Sequence, residues 1–208
     1  MDLKLKDKIA FVSGSTAGIG LAIAHRFLAE GARVVINGRT KQSVDDAVSD
    51  LQKLFPEESV SGIAADFSRV EDVNNLLDHL PEVDILINNA GIFEPKSFGE
   101  IPDEDWFRFF EVNVMSGIRL SRHYFPKMLS KNQGRIIFIS SESAVFIPDE
   151  MIHYGMTKAA QLAVSRGLAE LTKGTAVTVN SILPGPTKSK GVAAFIEDLA
   201  KADKKSVE

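Results

Sequence analysis

Tyr154 and Lys158 stand four residues apart in Tyr154-Gly155-Met156-Thr157-Lys158, where an Ala- and Leu-rich helical pattern begins. Residues spaced i, i+4 share one face of a helix, so a phenol and an ammonium are brought side by side. Ser141 precedes Tyr154 by thirteen positions, at the end of an apolar run and across a loop. A hydroxyl, a phenol and an ammonium around one point suit a reaction in which negative charge develops on an oxygen and a proton then quenches it. Hydride transfer to a carbonyl is such a reaction: the serine would hydrogen-bond the oxygen and the tyrosine would deliver the proton. A phenol titrating near ~10 is a poor base for the reverse direction, and bringing it to neutrality takes roughly 4 kcal/mol. One ammonium at about 4 Å and an effective dielectric of ~20 supplies that much. The alternative is a Tyr and a Lys exposed on a surface helix, and Ser140 competes with Ser141 for the serine's role.

A second cluster lies near the N-terminus. The apolar run 8–13 leads directly into Gly14-Ser15-Thr16-Ala17-Gly18-Ile19-Gly20 and then into a helical pattern. Glycines permit positive φ and close backbone approach, and a helix N-terminus offers free N–H groups to an anion. The order GxxxGxG between a strand and a helix reads as a phosphate cradle, although a purely structural turn would also use a glycine or two. The next strand end reads Asn37-Gly38-Arg39-Thr40, without the carboxylate that an NAD-selective ribose site would carry. Arg39 can fork onto a 2′-phosphate, so NADP is expected over NAD. A solvated surface arginine is the alternative.

These residues need elements to position them. Short Val- and Ile-rich runs at 8–13, 33–37, 60–65, 83–88, 135–141 and 176–183 alternate with helical patterns at 19–30, 41–54, 70–80, 103–130 and 154–173. Runs that are apolar throughout suit strands buried on both faces. The alternation predicts βαβ units: an α/β, three-layer, doubly wound parallel sheet of the Rossmann-like kind, with six recognisable strands. Ligands of such sheets bind at the carboxyl ends of the strands, where Ser141 and the glycine cluster both fall. No repeat or linker divides the chain, so residues 1–208 are expected to form a single domain.

Composition narrows the classes further. Among 208 residues, 44% are hydrophobic and there is no cysteine, which rules out disulfides and thiolate metal sites. The four histidines, His25, His79, His123 and His153, lack ligand spacing, so no metal is expected, and His153 reads as a loop residue. A net charge of −4 argues against nucleic acid as a partner. Residues 1–8 lack the apolar run of a signal peptide, and no stretch approaches the ~20 apolar residues of a membrane span. A cytoplasmic protein is the expectation. Trp106, Phe107, Phe109 and Phe110 read as core or subunit interface.

In order along the chain, Gly14-x-x-x-Gly18-Ile19-Gly20, Asp66, Asn88-Asn89-Ala90-Gly91, Asn113, Ser141, Tyr154-x-x-x-Lys158 and Pro184-Gly185 resemble the short-chain dehydrogenase/reductase family, in its compact single-domain branch. The resemblance covers essentially residues 1–189 and implies an NAD(P)-dependent oxidoreductase acting on a carbonyl or secondary alcohol. It implies catalytic roles for Ser141, chosen over Ser140 by the family's spacing, and for Tyr154 and Lys158, with Asn113 anchoring a water of the proton relay. It implies cofactor contacts from Gly14, Ser15, Thr16, Gly18, Ile19, Gly20, Arg39 and Thr40. Asp66 and the Phe67 backbone would meet the adenine, and Asn88, Ala90 and Gly91 the adenosine and ribose. Lys158 would also hydrogen-bond the nicotinamide ribose, and Pro184, Gly185 and Thr187 would sit against the nicotinamide amide and pyrophosphate. Read without the family, Asn113 could bend or cap a helix, and Asn-Asn-Ala-Gly could simply close a strand.

The resemblance also implies a homodimer or homotetramer through helices 103–130 and 154–173. Family members usually continue past the Pro-Gly turn through a substrate-covering segment, a helix and one last strand. Residues 190–208 are therefore expected to be a helix and frayed tail of that region, and the final strand to be missing. A shortened chain of this kind leaves a second reading, an NADP(H)-binding protein with impaired or no turnover.

Overall fold

Ala10, Phe11 and Val12 are fully buried although they follow one another along a strand, as in a strand covered on both faces. A computed structural model describes residues 3–56 and 59–187. The strands are β1 (Ile9–Val12), β2 (Arg33–Gly38), β3 (Val60–Ala64), β4 (Ile85–Asn88), β5 (Gly134–Ile139) and β6 (Val177–Ile182). All adjacent pairs are parallel, in the order β3-β2-β1-β4-β5-β6. The helices are α1 (Gly18–Ala29), α2 (Lys41–Leu54), α3 (Val70–His79), α4 (Asp103–Phe110), α5 (Ser116–Ser130) and α6 (Ile152–Glu170).

Side-chain alternation sorts these helices into two layers. Ala10, Val12, Val34, Ile36, Ile85 and Ile87 pack with Ala24 and Leu28 of α1 and Ala47 and Leu51 of α2. Phe11, Val35, Leu86, Ile136 and Phe138 point the other way, onto Val73 and Leu76 of α3 and Leu120, Tyr124 and Met128 of α5, with Val164 and Leu168 of α6 at the margin. The expected three-layer, doubly wound parallel sheet with six strands is what forms. Strand order reverses between β1 and β4, and the carboxyl ends flanking that crevice are where such folds take ligands.

Three expectations need correction. The pattern 103–130 is not one helix: α4 and α5 are separated by a π-helical turn, Glu111–Met115, in which the Ser116 N–H reaches back to the Glu111 carbonyl. Continuous apolar periodicity cannot register a single widened turn. Strand β5 stops at Ile139, so Ser141 lies two residues beyond it. His153 is not a loop residue but sits in the first turn of α6, fully buried, its ring 4.0 Å from that of Phe109. Of the four aromatic residues of α4, Phe109 is core, whereas Phe107 is 73% exposed. The helix expected within 190–208 lies outside the described residues, among which β6 and β3 are the two edge strands. No helix among the described residues is long and apolar enough to cross a membrane.

Candidate active site

The glycine cluster turns the chain from β1 into α1. Gly14 has φ +60°, and a Cβ there would come within 2.9 Å of Ala90 Cα, so the loop lies against the turn after β4. At Gly20 a Cβ would meet the Gly14 carbonyl and Asn89 Nδ2 at 2.6 Å. Both positions therefore need glycine for space. Ala17 caps α1 without a side-chain hydrogen bond, unlike Thr40, whose Oγ1 accepts from Ser43 N at the start of α2. The first N–H groups of α1, from Gly18 and Ile19 onward, thus face the crevice with the partial positive charge of a helix end.

Several residues expected to touch a cofactor also have structural partners of their own in the crevice floor. Ser15 is buried, its hydroxyl donating to the Val12 carbonyl (2.6 Å) and accepting from Asn37 N (2.9 Å). Thr16 packs its methyl against Gly38. Thr40 is taken up by the α2 cap, and the Phe67 side chain is core, leaving only its backbone for a ligand. Asp66 Oδ1 accepts from Ser68 N and Oγ. Burial pushes that carboxyl up, but the Ser68 hydrogen bonds and the charges of Arg39 and Arg69 outweigh it and hold it below the usual range. Arg39 itself is exposed at the end of β2.

The Asn-Asn-Ala-Gly turn divides its labour in a way the sequence did not disclose. Asn88 is buried and faces away from the crevice, donating to Ser121 Oγ of α5. Asn89, its neighbour, donates to the Ser13 and Gly14 carbonyls at 2.9 and 2.8 Å, and Ser13 Oγ accepts from the Asn89 and Ala90 N–H groups. Asn37 likewise accepts from Gly14 N and donates to the Ile63 and Ala65 carbonyls. Ser13, Asn37 and Asn89 hold the crevice in shape. Their signal in the sequence was only their place at successive strand ends. Gly91 is exposed on the same turn, and a Cβ there would approach Asn113 Oδ1 and Lys158 Nζ.

Tyr154 and Lys158 come from the first two turns of α6. Lys158 is 4% exposed and its Nζ lies over the Tyr154 ring, 5.6 Å from the centroid. Nζ donates to the Ile139 carbonyl at 3.0 Å and to Gln161 Oε1 at 3.3 Å. Burial depresses the ammonium to about 8. Burial likewise pushes the Tyr154 phenol up, and a hydrogen bond with Ser141 works against it. The expected lowering of Tyr154 toward neutrality is thus replaced, in this geometry, by a phenol that stays protonated. Ser141 begins a short 3-10 turn, its Oγ accepting from Ser143 N. Ser140 is excluded from the serine's role, since its hydroxyl is buried and donates to the Lys158 carbonyl.

Asn113 lies in the π-turn and is fully buried. Its amide clamps the loop after β4, accepting from Ile92 N (2.7 Å) and donating to the Ile92 carbonyl (2.9 Å) and Thr157 Oγ1 (3.0 Å). Beyond β6, the Pro184 carbonyl accepts from Glu142 N, tying that loop to the one carrying Ser141. Gly185 and Thr187 are exposed, and the Thr187 hydroxyl donates to the Gly185 carbonyl. The structure therefore brings Ser141, Tyr154, Lys158, Asn113 and Gly91 together, at the same carboxyl end of the sheet as the α1 N-terminus.

Comparison with known proteins agrees with this geometry. A sequence model of the family described as short chain dehydrogenase matches residues 8–200. The Bacillus subtilis (strain 168) protein named Uncharacterized oxidoreductase YvrD is 50% identical over 205 residues, spanning 97% of this chain and 77% of the relative. L-Sorbose reductase from Gluconobacter frateurii, solved with NADPH and L-sorbose, superposes with a TM-score of 0.89 at 33% identity, covering 97% of this chain and 78% of that one. Actinorhodin polyketide ketoreductase with NADPH gives 0.87 at 27% identity, covering 96% and 78%. With a parallel six-stranded sheet, a glycine-lined helix N-terminus at its switch point and a Ser-Tyr-Lys set beside it, the chain belongs to the short-chain dehydrogenase/reductase family of NAD(P)-dependent oxidoreductases.

Proposed function

We propose that this protein reduces a small carbonyl compound to a secondary alcohol with NADPH, Tyr154 being the proton donor. The observation that carries this reading is the Tyr154 phenol, hydrogen-bonded to Ser141, with Lys158 Nζ 5.6 Å from its ring centroid. The open N–H groups of α1 fit a pyrophosphate, exposed Arg39 fits a 2′-phosphate, and Lys158 keeps one of its three N–H donors for a ribose hydroxyl. The dinucleotide supplies, when bound, a hydride to the carbonyl carbon. Ser141 hydrogen-bonds the oxygen as its charge grows, and Tyr154 passes its phenolic proton to that oxygen. The resulting phenolate is stabilised by the neighbouring ammonium until solvent returns the proton. A merely cofactor-binding protein would have no use for the Ser141–Tyr154 pair.

Oxidation of NADPH followed across aldehydes, ketones, quinones, sugars and acyl thioesters tests the reading. Turnover of at least one class is expected, and none with any class would overturn it. Arg39→Ala is expected to weaken NADPH binding about 10–100-fold, the worth of a charge-assisted hydrogen bond, and to leave NADH binding unchanged. Equal affinities for the two cofactors in the parent protein would remove Arg39 from this role.

We also propose a cytoplasmic homodimer or homotetramer. Helices α5 and α6 flank an apolar groove of about 300 Å³ lined by Ile118, Phe125, Val164 and Leu168, which suits packing against the same face of a second copy. Light scattering is expected to give a multiple of 22.7 kDa; a monomer at micromolar concentration would contradict it.

A further inference from the structure

The Lys158 ammonium is buried and, among the described residues, hydrogen-bonds no charged group. Burial is what depresses it, although charged or titratable groups lie on every element packed against α6 except β6. These are Glu142 after β5, Arg135 on β5, Asp149 and Glu150 before α6, Glu111 in the π-turn, Asp103, Glu104, Asp105 and Arg108 on α4, and Arg119, Arg122, His123, Tyr124 and Lys127 on α5. On α6 itself the titratable groups are His153, Tyr154, Arg166 and Glu170. Lys96, Asp105, Glu94 and Arg108 bear on His153 instead. What Lys158 does have is Gln161, three residues on, on the same helix face, and 2% exposed. Gln161 Nε2 donates to the Asn113 carbonyl at 2.6 Å, which a carbonyl can only accept, so Oε1 must be the atom turned to Nζ at 3.3 Å. The amide thus joins the lysine to the π-turn, 48 residues away in sequence.

We propose that Gln161 is a positioning residue of this active site: anchored on the Asn113 carbonyl, its amide oxygen holds the Lys158 ammonium over Tyr154. This deepens the reductase reading and rests on it for its catalytic consequence. Two of the three N–H donors of Lys158 are then fixed, on Ile139 and Gln161, and the third is left for the reacting side. An acceptor aligned on a buried ammonium also favours its charged form.

The test compares the parent with Gln161→Met, which keeps the volume and removes both hydrogen bonds, and Gln161→Glu, which sets a carboxylate against Nζ. Proteins carrying 13C-labelled lysine are titrated by NMR, Lys158 being assigned through Lys158→Met. The Lys158 midpoint is expected about one pH unit lower in Gln161→Met and higher than the parent in Gln161→Glu. Reduction of 2,3-butanedione by NADPH should fall about tenfold in Gln161→Met at pH 7, with its high-pH decline moved the same way as the midpoint. A merely structural role would lower activity without moving either midpoint. Should Gln161→Met not fold, Gln161→Glu alone decides: a midpoint equal to the parent's overturns the proposal. If the parent reduces no carbonyl at all, the reductase reading falls while the titration still judges Gln161.

Discussion

Tyr154→Phe is expected to lower kcat for carbonyl reduction by about 10²–10⁴-fold, the range for losing a positioned proton donor. The ring keeps its place, since Phe93 meets it edge-on at 6.2 Å between centroids and Nζ of Lys158 lies on its face. What disappears is the hydroxyl and its hydrogen bond with Ser141, worth about 1 kcal/mol of stability. The α1 N-terminus and Arg39 are untouched, so NADPH binding should persist, as fluorescence titration would show. The expected pattern is a folded protein that binds cofactor and does not turn over. Activity within a few-fold of the parent would take the proton from another group and remove Tyr154 from its role.

Lys158→Met is expected to stabilise the fold while abolishing turnover. In the folded protein the ammonium titrates near 8, against 10.5 for an ordinary lysine. Below pH 8 both folded and unfolded states hold the proton, and the folded state carries the full cost of burying it. Between 8 and 10.5 the unfolded chain binds more protons than the folded one, so stability from this group rises with pH across that window. At pH 7 the shift corresponds to about 3 kcal/mol against folding, an upper figure because Met also gives up the hydrogen bonds to Ile139 and Gln161. For a chain of this size the variant's Tm should rise by about 5–10 °C. The difference between variant and parent should shrink as pH goes from 8 to 10.5, which isolates Lys158 from other groups titrating there. A variant less stable than the parent at pH 7 would mean that the lysine's hydrogen bonds outweigh its burial. The parent's reductive activity should also decline above about pH 8 as the ammonium is lost.

Keeping such a group is a loss of stability tied to the site, and it shows where sequence reading stops. That Tyr154 and Lys158 share a face follows from helical spacing alone. The same spacing says nothing of depth: Lys158 is almost wholly buried whereas Tyr154 is only partly so, because α6 lies against the ends of β5 and the π-turn. Gln161 stands at i+3 from Lys158, but the residue types alone singled out only Tyr154 and Lys158 on this face. The other partner of Gln161, Asn113, sits in a different element and becomes a partner only once α6 is docked. Ser15 and Thr40 were expected as cofactor contacts from the family resemblance, and only the fold shows that their hydroxyls also bond within the chain, Ser15 to the Val12 carbonyl and Asn37 N, Thr40 to Ser43.

What the sequence by itself determined is local and periodic. Alternating apolar runs and helical patterns specified a doubly wound parallel sheet, since each strand must be covered on both faces. The glycines between the first strand and helix specified a phosphate-sized turn, and Tyr154-x-x-x-Lys158 a reactive pair. Tertiary structure alone decided which of two adjacent asparagines served the crevice. Asn88, on the strand, points into the α5 layer, and Asn89, one residue past it, points back to Gly14. It decided too that a widened turn between α4 and α5 would set Asn113 where both Ile92 and Gln161 could reach it. Side-chain direction at a strand end and a carbonyl's partner across 48 residues depend on packing between elements, and no local period records that.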